Sequence, residues 1–554
     1  MSVPTAELTA PAIARPSRAR IAGLASRLTG GRLYLPLGVG ALVIGALSLL
    51  IPSTPSYDPW AWLVWGREIV HLDLHTTGGP SWKPLPMIFT TVFALFGHAQ
   101  PDLWLIVARA GAVIAVVMSF KLAWRLTRML GTAMSGETGA TRLRTALPGV
   151  IAGVIAGASL INSGGFVSDN ALGYSEGLAT ALGLIAVDRY LDGARRQAFA
   201  VGFFAALDRP ELWVFWGPFG LYLWWRDPGA RRLVLGLFAL IPVLWFLPEL
   251  WGSGHLLRGV TRAQHPRANS AAFAKCPVCT VFKNEAWPAV LNRVKVAGIL
   301  AMVVAAFGLW RGRATWWRQA ALSPATRARA WLLGVGVFGY LWWFGIALET
   351  QAGFSGNNRY LVLGSAPVAI AGAIGWGWLA QAAAAVLRRL VALAGALRRL
   401  ATVQLVVPGG AAVAVALFLA VPPWIGQNVI SLPRTHHALV YQAHLREDLT
   451  AAVRDAGGAG TLLKCGSVMT EGFQVPMVAW TLGVRTLRVE AEPSGLAGPP
   501  WPNVILQARA QSDSTLLPTP AQIIAWERAG AHYTLVAHTR TFRIFSTCGD
   551  KASA

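Results

Sequence analysis

Polar side chains that could take part in catalysis are concentrated between residues 58 and 83. They are Asp58, Arg67, Glu68, His71, Asp73, His75 and Lys83. Asp58 stands in the aromatic run SYDPWAWLVW, where a partly desolvated carboxylate could act as a general base for a hydroxyl group. Glu68 and Asp73 could be further acids, or ligands of a divalent cation such as Mg²⁺ or Mn²⁺. Alternatively, WAWLVWGREIVHL is an amphipathic surface helix whose acids are simply solvated.

Three other short polar turns carry ionisable groups. They contain Asp169, Asn170, Tyr174 and Glu176; Asp208, Arg209 and Glu211; and Glu349, Asn357, Asn358 and Arg359. Each turn ends an apolar segment, and ionisable groups converging from several such ends indicate a site. The alternative is that charge is least costly at those ends. Arg209, if it is sunken, needs an anion, which could be Asp208, Glu211 or a phosphate.

The composition indicates a polytopic membrane protein. Only 13% of the 554 residues are charged and 54% are hydrophobic, with mean hydropathy +0.48, whereas soluble proteins carry about 25% charged residues. The apolar residues form blocks of about 20, enough to cross a bilayer. Tryptophans at block ends, such as Trp60, Trp62, Trp65 and Trp104, are expected in the headgroup region. The net charge of +23 lies between the blocks, which argues against nucleic-acid binding.

The basic clusters predict the sides of the membrane. If the short apolar stretch 86–97 lies on the outer surface without crossing, Lys121, Arg125 and Arg128 become cytoplasmic, as the positive-inside rule favours. We then expect about eleven transmembrane helices, with the N-terminus inside and the C-terminus outside. Their approximate positions are 33–51, 104–124, 148–166, 171–188, 197–208, 211–225, 233–250, 292–310, 330–348, 360–385 and 402–422.

Three parts of the chain follow from this topology. Residues 1–32 are a basic cytoplasmic N-terminus, and residues 33–423 are a transmembrane domain with outer loops 52–103 and 251–291. Residues 424–554 are predicted to be an extracytoplasmic α/β domain. Its strands are expected in TLLKC, TLRVEA, NVILQA and YTLVAHTRTFRIF, and a helix in HALVYQAHLREDLTAAVRDAG.

The four cysteines fall into two pairs. Cys465 and Cys548 close two predicted strands, and we expect a disulfide between them in an oxidising compartment. Cys276 and Cys279 form the motif CPVC in an irregular loop, as either a local disulfide or two thiols.

The order of several motifs resembles the GT-C superfamily of membrane glycosyltransferases, which includes protein mannosyltransferases, aminoarabinose transferases and mycobacterial arabinofuranosyltransferases. After the first span come an outer loop beginning near Asp58, then WKPLPMIFTTVFALFG, ARAGAVIAVVMSFKLAWRL, the turn LDRPE and NNRYLVLGSAPVAIAG. The matching positions are Lys83-Pro84-Leu85-Pro86, Phe96-Gly97, Arg109 and Arg359-Tyr360. The resemblance covers about residues 30–385.

The resemblance implies sugar transfer from a polyprenyl-phosphate donor to an envelope glycan or lipid acceptor at the outer face of the plasma membrane. Arabinofuranose or mannose is favoured, with inversion and with Asp58 as the base. Glu68 and Asp73 are further catalytic candidates, and no cofactor is required, although Asp58 and Asp73 could hold a divalent cation. Candidates for binding the donor phosphate are Lys83, Arg209, Arg262, Arg267 and Arg359. Candidates for lining the site are Trp60, His71, His75, Asp169, Tyr174, Glu176, Glu349 and Asn358. The C-terminal domain could bind the glycan acceptor.

Two functions of other classes compete with this one. The first is a transporter or flippase of a lipid-linked sugar, for which acids and bases in the middle of spans and matching broken helices are expected. The second is a non-catalytic envelope assembly protein whose C-terminal domain does the binding. Replacing Asp58 separates these functions, because only the enzyme should lose turnover while it keeps donor binding.

Overall fold

The chain is described by a computed structural model. It covers residues 31–135, 139–267, 270–316, 323–393, 403–420, 430–493 and 501–549. The predicted cytoplasmic N-terminus, residues 1–32, lies almost wholly outside the described residues. The predicted boundary at residue 423 lies outside them too.

Helices dominate the chain up to residue 420. In chain order they are α1 Tyr34–Leu47, α2 Tyr57–Val70, α3 Pro84–Ala94, α4 Gln100–Ser135, α5 Gly139–Ile161, α6 Phe166–Ala171, α7 Glu176–Leu191, α8 Arg195–Ala206, α9 Trp213–Arg226, α10 Arg231–Ser253, α11 Arg258–Ala263, α12 Pro277–Thr280, α13 Asn292–Trp316, α14 Pro324–Gln351, α15 Val362–Leu393 and α16 Val403–Ala420. Short 3₁₀ turns at Pro210–Leu212 and Asn358–Leu361 precede α9 and α15.

Among the described residues, five helical segments are long and apolar enough to cross a membrane. They are Gly97–Leu130, Pro228–Ser253, Asn292–Arg313, Pro324–Gln351 and Asn358–Val391. Shorter apolar helices lie at Tyr34–Leu50, Ala146–Ile161 and Val407–Ala420. Each of the eleven predicted spans overlaps a helix. The number that cross, and their orientation, stay predictions.

Close contacts between backbones hold the long helices together. A Cβ at Gly111 of α4 would lie 2.6 Å from the Cα of Leu178 in α7, and one at Gly372 of α15 would lie 2.2 Å from the carbonyl oxygen of Val294 in α13. Because lipid provides no hydrophobic drive between helices, such small residues let the surfaces approach and gain dispersion energy. Side chains at α7 are thereby positioned by contacts along the whole bundle.

Helix α2 is buried, so its interpretation as an amphipathic surface helix was wrong. Trp60, Trp62 and Trp65 are at most 2% exposed. They belong to a core built jointly with residues of the C-terminal region, such as Val468 and Val504. Trp104 is also fully buried, so these four indole rings pack inside the protein and not among lipid headgroups. Periodicity alone could not reveal this, because the covering surface comes from residues about 400 positions later in the chain, as in the Trp60–Trp480 contact.

Helix α3 covers α2 from the other side. It has 11 residues, which at a rise of 1.5 Å per residue gives about 16 Å, too short to cross a hydrocarbon core of about 30 Å. A Cβ at Gly66 would lie 2.5 Å from the carbonyl oxygen of Thr90, so the glycine allows the two helices to touch. The stretch 86–97 therefore serves to support α2.

The C-terminal region combines helices with one mixed sheet. Its elements are α17 Leu432–Asp455, α18 Ala459–Cys465, β1 Val468–Thr470, α19 Val475–Thr481, β2 Val489–Ala491, β3 Val504–Arg509, β4 Leu516–Leu517, α20 Pro520–Arg528, β5 Thr534–His538 and β6 Arg543–Ser546. The strand order is β2-β1-β3-β6-β5, with β4 paired to β3. Strands β2, β1 and β3 are parallel, whereas β6 and β5 join them antiparallel.

Two sequence expectations about this region have direct outcomes. The run TLLKC was predicted to be a strand, but it lies in α18, because a short apolar run alone does not distinguish helix from strand. Cys465 and Cys548 form a disulfide that joins the end of α18 to the segment after β6. Cys276 and Cys279 also form a disulfide.

The C-terminal region docks on α2 and on the start of α4. Trp480 packs on Trp60 with ring centroids 5.2 Å apart, and Arg67 donates hydrogen bonds to the Trp480 and Val484 carbonyl oxygens at 3.2 and 2.7 Å. Arg446 pairs with Asp102 at 2.8 Å. This side of the helical bundle is therefore covered by protein, and Asp58 lies on the same side.

Candidate active site

A buried ion pair joins the first turn of α2 to the turn before α15. Arg359 Nη2 lies 2.7 Å from Asp58 Oδ2, although the two residues are 301 positions apart. The exposed fraction is 8% for Asp58 and 9% for Arg359. The sequence places them there because α2 starts at Tyr57 directly after an extended segment, and Arg359 occupies the 3₁₀ turn that starts the α15 segment.

Glu176, the first residue of α7, lies at the centre of the surrounding charges. Its Oε1 accepts a hydrogen bond from Lys83 Nζ at 3.1 Å. Arg359 Nε and Arg209 Nη1 each lie 3.8 Å from the same oxygen. Three cations from three separate turns thus face one carboxylate. We call the group Asp58, Lys83, Glu176, Asp208, Arg209 and Arg359 the active-site cluster.

Two tyrosine rings fix the guanidinium groups. Arg359 lies 4.0 Å from the centroid of the Tyr174 ring, and Arg209 lies 4.2 Å from the centroid of the Tyr360 ring. Arg359 also donates to the Tyr360 hydroxyl at 3.3 Å. A cation over an aromatic face is stabilised without using its N–H donors. Both arginines therefore keep donors available for a ligand.

Asp208 and Lys83 form a further charged pair in the active-site cluster. Asp208 is fully buried, and its nearest cation is Lys83 Nζ, at 3.9 Å. Burial by itself would lower the pKa of Lys83, but the carboxyl groups of Asp208 and Glu176 outweigh it and raise this pKa, so the ammonium group stays charged.

Several buried carboxylate oxygens in this region lack a hydrogen-bond partner among the described residues. They are Glu176 Oε2, Asp169 Oδ2, and Oε2 of Glu211, whose other oxygen pairs with Arg209. Burial raises the pKa of Asp169 to about 7, although Arg359 opposes the shift. Buried polar atoms are nearly always paired in native structures. These acids therefore keep acceptor capacity that a hydroxyl group of a ligand can use.

The other residues predicted near this site lie around it. Asp169 and Asn358 face each other across Gly165, where a Cβ would be 2.5 Å from Asp169 Oδ2 and 3.1 Å from Asn358 Nδ2. Tyr174 shares a hydrogen bond of 3.1 Å with the Ser56 hydroxyl. Glu349 lies in the last turn of α14 and interacts electrostatically with Glu211 and Arg209.

Glu68 and Asp73 lie elsewhere, and their placement with Asp58 was wrong. Glu68 lies in the last turn of α2, where its Oε2 accepts the His75 N–H at 2.8 Å. Burial raises the pKa of Glu68 to about 7. Asp73 is exposed and pairs with Arg485 of the C-terminal region. The Asp73 N–H donates to the Glu68 carbonyl oxygen at 2.9 Å, and Asp58 and Glu68 are separated by ten helical steps of 1.5 Å, about 15 Å. Asp58 and Asp73 therefore lie too far apart to share a divalent cation.

Trp60 and His75 belong to the docking surface, the part of α2 and of the loop after it that contacts the C-terminal region. His71 caps the end of α2 and belongs neither to this surface nor to the active-site cluster. Trp60 packs on Trp480. His75 Nε2 lies 2.8 Å from Arg485 Nη1, and His71 Nδ1 lies 2.8 Å from the Arg67 carbonyl oxygen. Within the described ranges, no group of three or more His, Cys, Asp or Glu side chains is arranged to hold a metal ion.

Two of the five predicted phosphate-binding cations lie apart from the other three. Arg262 donates to the carbonyl oxygens of Gly79 and His265 at 3.2 and 2.7 Å, so it holds loops together. Arg267 lies 3.5 Å from the Phe473 ring centroid and 5.4 Å from that of Tyr57. Lys83, Arg209 and Arg359 meet at Glu176. The positive charge of loop 251–291 did not distinguish arginines that contact other loops and aromatic rings from the cations that meet at Glu176.

Asp208 and Glu211 were predicted only as ionisable groups of the turn LDRPE and as possible anions for Arg209, and Tyr360 was not predicted as a site residue. Asp208 and Glu211 flank Arg209-Pro210 in LDRPE, and Tyr360 follows Arg359. The signal was present, because a sunken arginine needs an anion beside it. The sequence could not show that Glu211 pairs with Arg209 while Asp208 lies nearest to Lys83.

Arg109, the arginine matched in α4, has a positioning role. It donates to the Ala171 carbonyl oxygen at 2.7 Å, to the Ser48 hydroxyl at 2.8 Å and to the Ser53 hydroxyl at 2.9 Å. It thereby connects the segment before α2 to the end of α6. The first segment leads directly into Asp58, and α6 contains Asp169. Arg109 therefore sets the relative position of these two acids.

Comparison with known proteins gives structural similarities only. No family model matches the chain, and no curated protein matches it. Two solved structures of ArnT from Cupriavidus metallidurans are similar to it. The one bound to undecaprenyl phosphate has a TM-score of 0.45 at 13% identity and covers 94% of this chain and 99% of its own. The apo state has a TM-score of 0.43 at 14% identity, covering 93% and 98%. This similarity concerns the overall arrangement of the chain, and the active-site cluster itself is the basis for the function proposed next.

Proposed function

We propose that this protein is a GT-C type membrane glycosyltransferase that transfers a sugar from a polyprenyl-phosphate donor to a hydroxyl of an envelope glycan or lipid acceptor. The observation that carries the proposal is the convergence of Lys83, Arg209 and Arg359 on incompletely paired carboxylates beside Asp58. Such a site offers cations for a phosphate and a carboxylate for a hydroxyl proton. The order of sequence motifs supports the same reaction class.

The charge balance suggests how the donor enters. Within the active-site cluster, the three carboxyl groups of Asp58, Glu176 and Asp208 stand against the three cations Lys83, Arg209 and Arg359. A phosphate can then bind to Arg359 by replacing Asp58, its present partner at 2.7 Å. The replacement releases the Asp58 carboxylate at the moment when a base is needed.

In the reaction, Asp58 takes the proton of the acceptor hydroxyl, and the hydroxyl oxygen attacks the anomeric carbon from the face opposite the phosphate. The bond from that carbon to the phosphate oxygen breaks, and the anomeric configuration inverts. Arg359 and Arg209, held against the Tyr174 and Tyr360 rings, stabilise the charge that develops on the departing phosphate. The donor sugar we favour is arabinofuranose or mannose, at the outer face of the plasma membrane.

The test is sugar transfer by the purified protein in nanodiscs. Decaprenyl-phospho-arabinofuranose or polyprenyl-phospho-mannose is supplied with a cell-wall glycan acceptor, and Asp58→Asn is compared with wild type. Loss of a general base is expected to lower kcat by about 10²- to 10⁴-fold. Asp227→Asn is the matched control, because Asp227 forms an exposed ion pair with Arg196; its kcat should equal that of wild type.

Two results would count against the proposal. Transfer by Asp58→Asn at the wild-type rate would remove Asp58 as the base. Failure of the wild-type protein to consume any donor, together with movement of labelled lipid across a vesicle membrane, would replace the enzyme with a transporter.

A further inference from the structure

A cavity of about 400 Å³ lies between helices α1, α7 and α8, at the end of α7 that is remote from the active-site cluster. Helices α7 and α8 pack on each other after a short turn. Ile185 and Arg189 lie about one turn apart on α7, Gln197 and Ala200 lie about one turn apart on α8, and Tyr34 of α1 borders the third side. The volume falls within the range of about 300–1,000 Å³ found for ligand pockets, so the cavity is large enough for a ligand.

Most of the cavity wall is aliphatic. Besides Ile185 and Ala200, it includes Leu182 and Val201. All three helices coincide with spans predicted from the sequence, and they expose other apolar side chains, such as Leu42 of α1. An acyl chain matches this wall, whereas a ligand rich in hydroxyl groups would lose its hydrogen bonds to water there.

Arg189 is the charged residue of the cavity wall, and it keeps an unused hydrogen-bond donor. It is 6% exposed, and its guanidinium group lies 5.3 Å from the centroid of the Tyr34 ring. Its Nη2 pairs with Asp192, but its Nε is buried and has no hydrogen-bond partner among the described residues. Buried N–H groups are nearly always paired, and this one can donate to an oxygen atom of a ligand.

The charge at this end of the cavity is positive. Lys121, Arg125 and Arg189 form ion pairs with two acids, Asp188 and Asp192, so the cations outnumber the acids by one. Helix α8 begins beside them with two arginines, one of them paired with an acid, and with no acid in its first turn. No side chain of the described residues caps this N-terminus, whose partial positive charge attracts anions. The ligand that fits this end of the cavity is therefore an anion.

From this arrangement we propose that the cavity binds one anionic phospholipid, with the headgroup phosphate at Arg189 and at the N-terminus of α8, and with an acyl chain along the aliphatic wall. Basic pockets between transmembrane helices bind lipid headgroups at the cytoplasmic surface, and the basic clusters of the sequence predict that this end of α7 is cytoplasmic. Residues 1–30 of the chain match the cavity less well, because they carry four arginines and one acid and would be repelled by the same cations.

The donor lipid of the proposed function belongs to a different place. Glu176 and Arg189 are thirteen residues apart on α7, about 20 Å, and the donor phosphate must reach Asp58 in the active-site cluster. The phospholipid site therefore does not depend on the proposed function.

Lipid binding can be measured without any sugar substrate. Full-length protein, delipidated in detergent, is titrated with dioleoyl-phosphatidylglycerol or with zwitterionic dioleoyl-phosphatidylcholine, and bound lipid is counted by native mass spectrometry. Wild type should bind one phosphatidylglycerol saturably and phosphatidylcholine more weakly. Arg189→Gln should weaken phosphatidylglycerol binding by about tenfold or more, because a charge-assisted hydrogen bond is lost. Ala200→Phe, which fills the aliphatic part of the cavity without changing any charge, should also weaken it. Arg232→Gln removes an exposed cation at the start of α10 and, as the matched control, should bind as wild type does.

Thermal unfolding gives a second readout. Phosphatidylglycerol should raise the Tm of wild type and of Arg232→Gln but not that of Ala200→Phe, because a ligand stabilises only the folded state that binds it. If Arg189→Gln fails to fold, Ala200→Phe decides the result by itself.

Three results would overturn the site. They are no saturable binding of phosphatidylglycerol to wild type, equal affinity of wild type for the two phospholipids, and equal binding by wild type and Ala200→Phe. Undecaprenyl phosphate, added as an equimolar competitor, should leave phosphatidylglycerol bound. If it displaces phosphatidylglycerol, the cavity takes a polyprenyl lipid and the inference is wrong. Selective binding that the cavity variants lose supports the site even in a protein without transferase activity.

Discussion

Helix α7 carries two groups of buried charges that differ in how completely their carboxylates are paired. Near its end, Asp188 is fully buried, and both of its oxygens are used: Oδ2 accepts from Lys121 at 2.7 Å and from Tyr34, and Oδ1 accepts from Arg125 at 2.9 Å. Near its start, Glu176 accepts one hydrogen bond from Lys83 at 3.1 Å, two guanidinium groups stay at 3.8 Å, and Oε2 is unpaired.

The two carboxylates differ in the acceptor capacity that they keep. A carboxylate whose lone pairs are filled by close donors gains enough from them to offset its desolvation, and it has no room for a ligand. A carboxylate with distant cations and an unpaired oxygen keeps an acceptor that a ligand hydroxyl group can use, as the proposed function requires. Asp188 and Glu176 are twelve residues apart on one helix, about 18 Å. In the proposed function, the same helix therefore supplies both an anchor and a site.

Removing the charge of Asp188, whose two carboxylate oxygens both accept hydrogen bonds, should have the largest effect on stability. Asp188→Asn leaves the buried Lys121 without its carboxylate partner, whereas Arg125 keeps Asp192, and breaking a buried pair costs about 3–5 kcal/mol. We expect a clearly lowered Tm in nanodiscs, with the activity of each folded molecule retained. Asp227→Asn, which breaks an exposed pair, is the control and should leave Tm nearly unchanged. A Tm for Asp188→Asn equal to the control would mean that the two ends of α7 are energetically alike.

Asp169, in α6 just before α7, should make the stability of the protein depend on pH. Burial raises the pKa of Asp169 to about 7, above its ordinary value near 4, so the native state holds the proton more tightly than the unfolded chain. Wild-type stability therefore falls as pH rises from about 4 to 7 and stays lower above that. Asp169→Asn cannot ionise, so relative to wild type it should be more stable at pH 8 by about 1–4 kcal/mol, with little difference at pH 4. Thermal unfolding at both pH values measures this, and a pH-independent difference would exclude burial of the ionised form as the cause.

The smallest effect is expected at the exposed charges of the docking surface. Asp73 is about half exposed and pairs with Arg485, which lowers the pKa of Asp73. Exposed ion pairs are screened by water and contribute little. Asp73→Asn should therefore keep the wild-type Tm and the wild-type transfer rate at pH 7. A loss of turnover similar to that of Asp58→Asn would restore Asp73 as a catalytic residue.

Much of the active-site cluster was readable from the sequence because charge at the ends of apolar segments is conspicuous. Asp58, Glu176, Arg209 and Arg359 each stand out in this way. Glu68 and Asp73 stand out equally, and the sequence ranked them with Asp58. They differ because α2 is a rigid rod of 14 residues, which carries its two ends to different neighbours.

By itself, the sequence determined the class of protein and the candidate residues. Length and hydropathy of the apolar blocks fix where helices form, since backbone groups in lipid must be paired within their own segment. Only the tertiary structure decided which polar groups meet. The contacts of Asp58 with Arg359 and of Trp60 with Trp480 join residues hundreds of positions apart. Such contacts depend on how helix surfaces pack, through glycines such as Gly111 and Gly66, and no local pattern records that geometry.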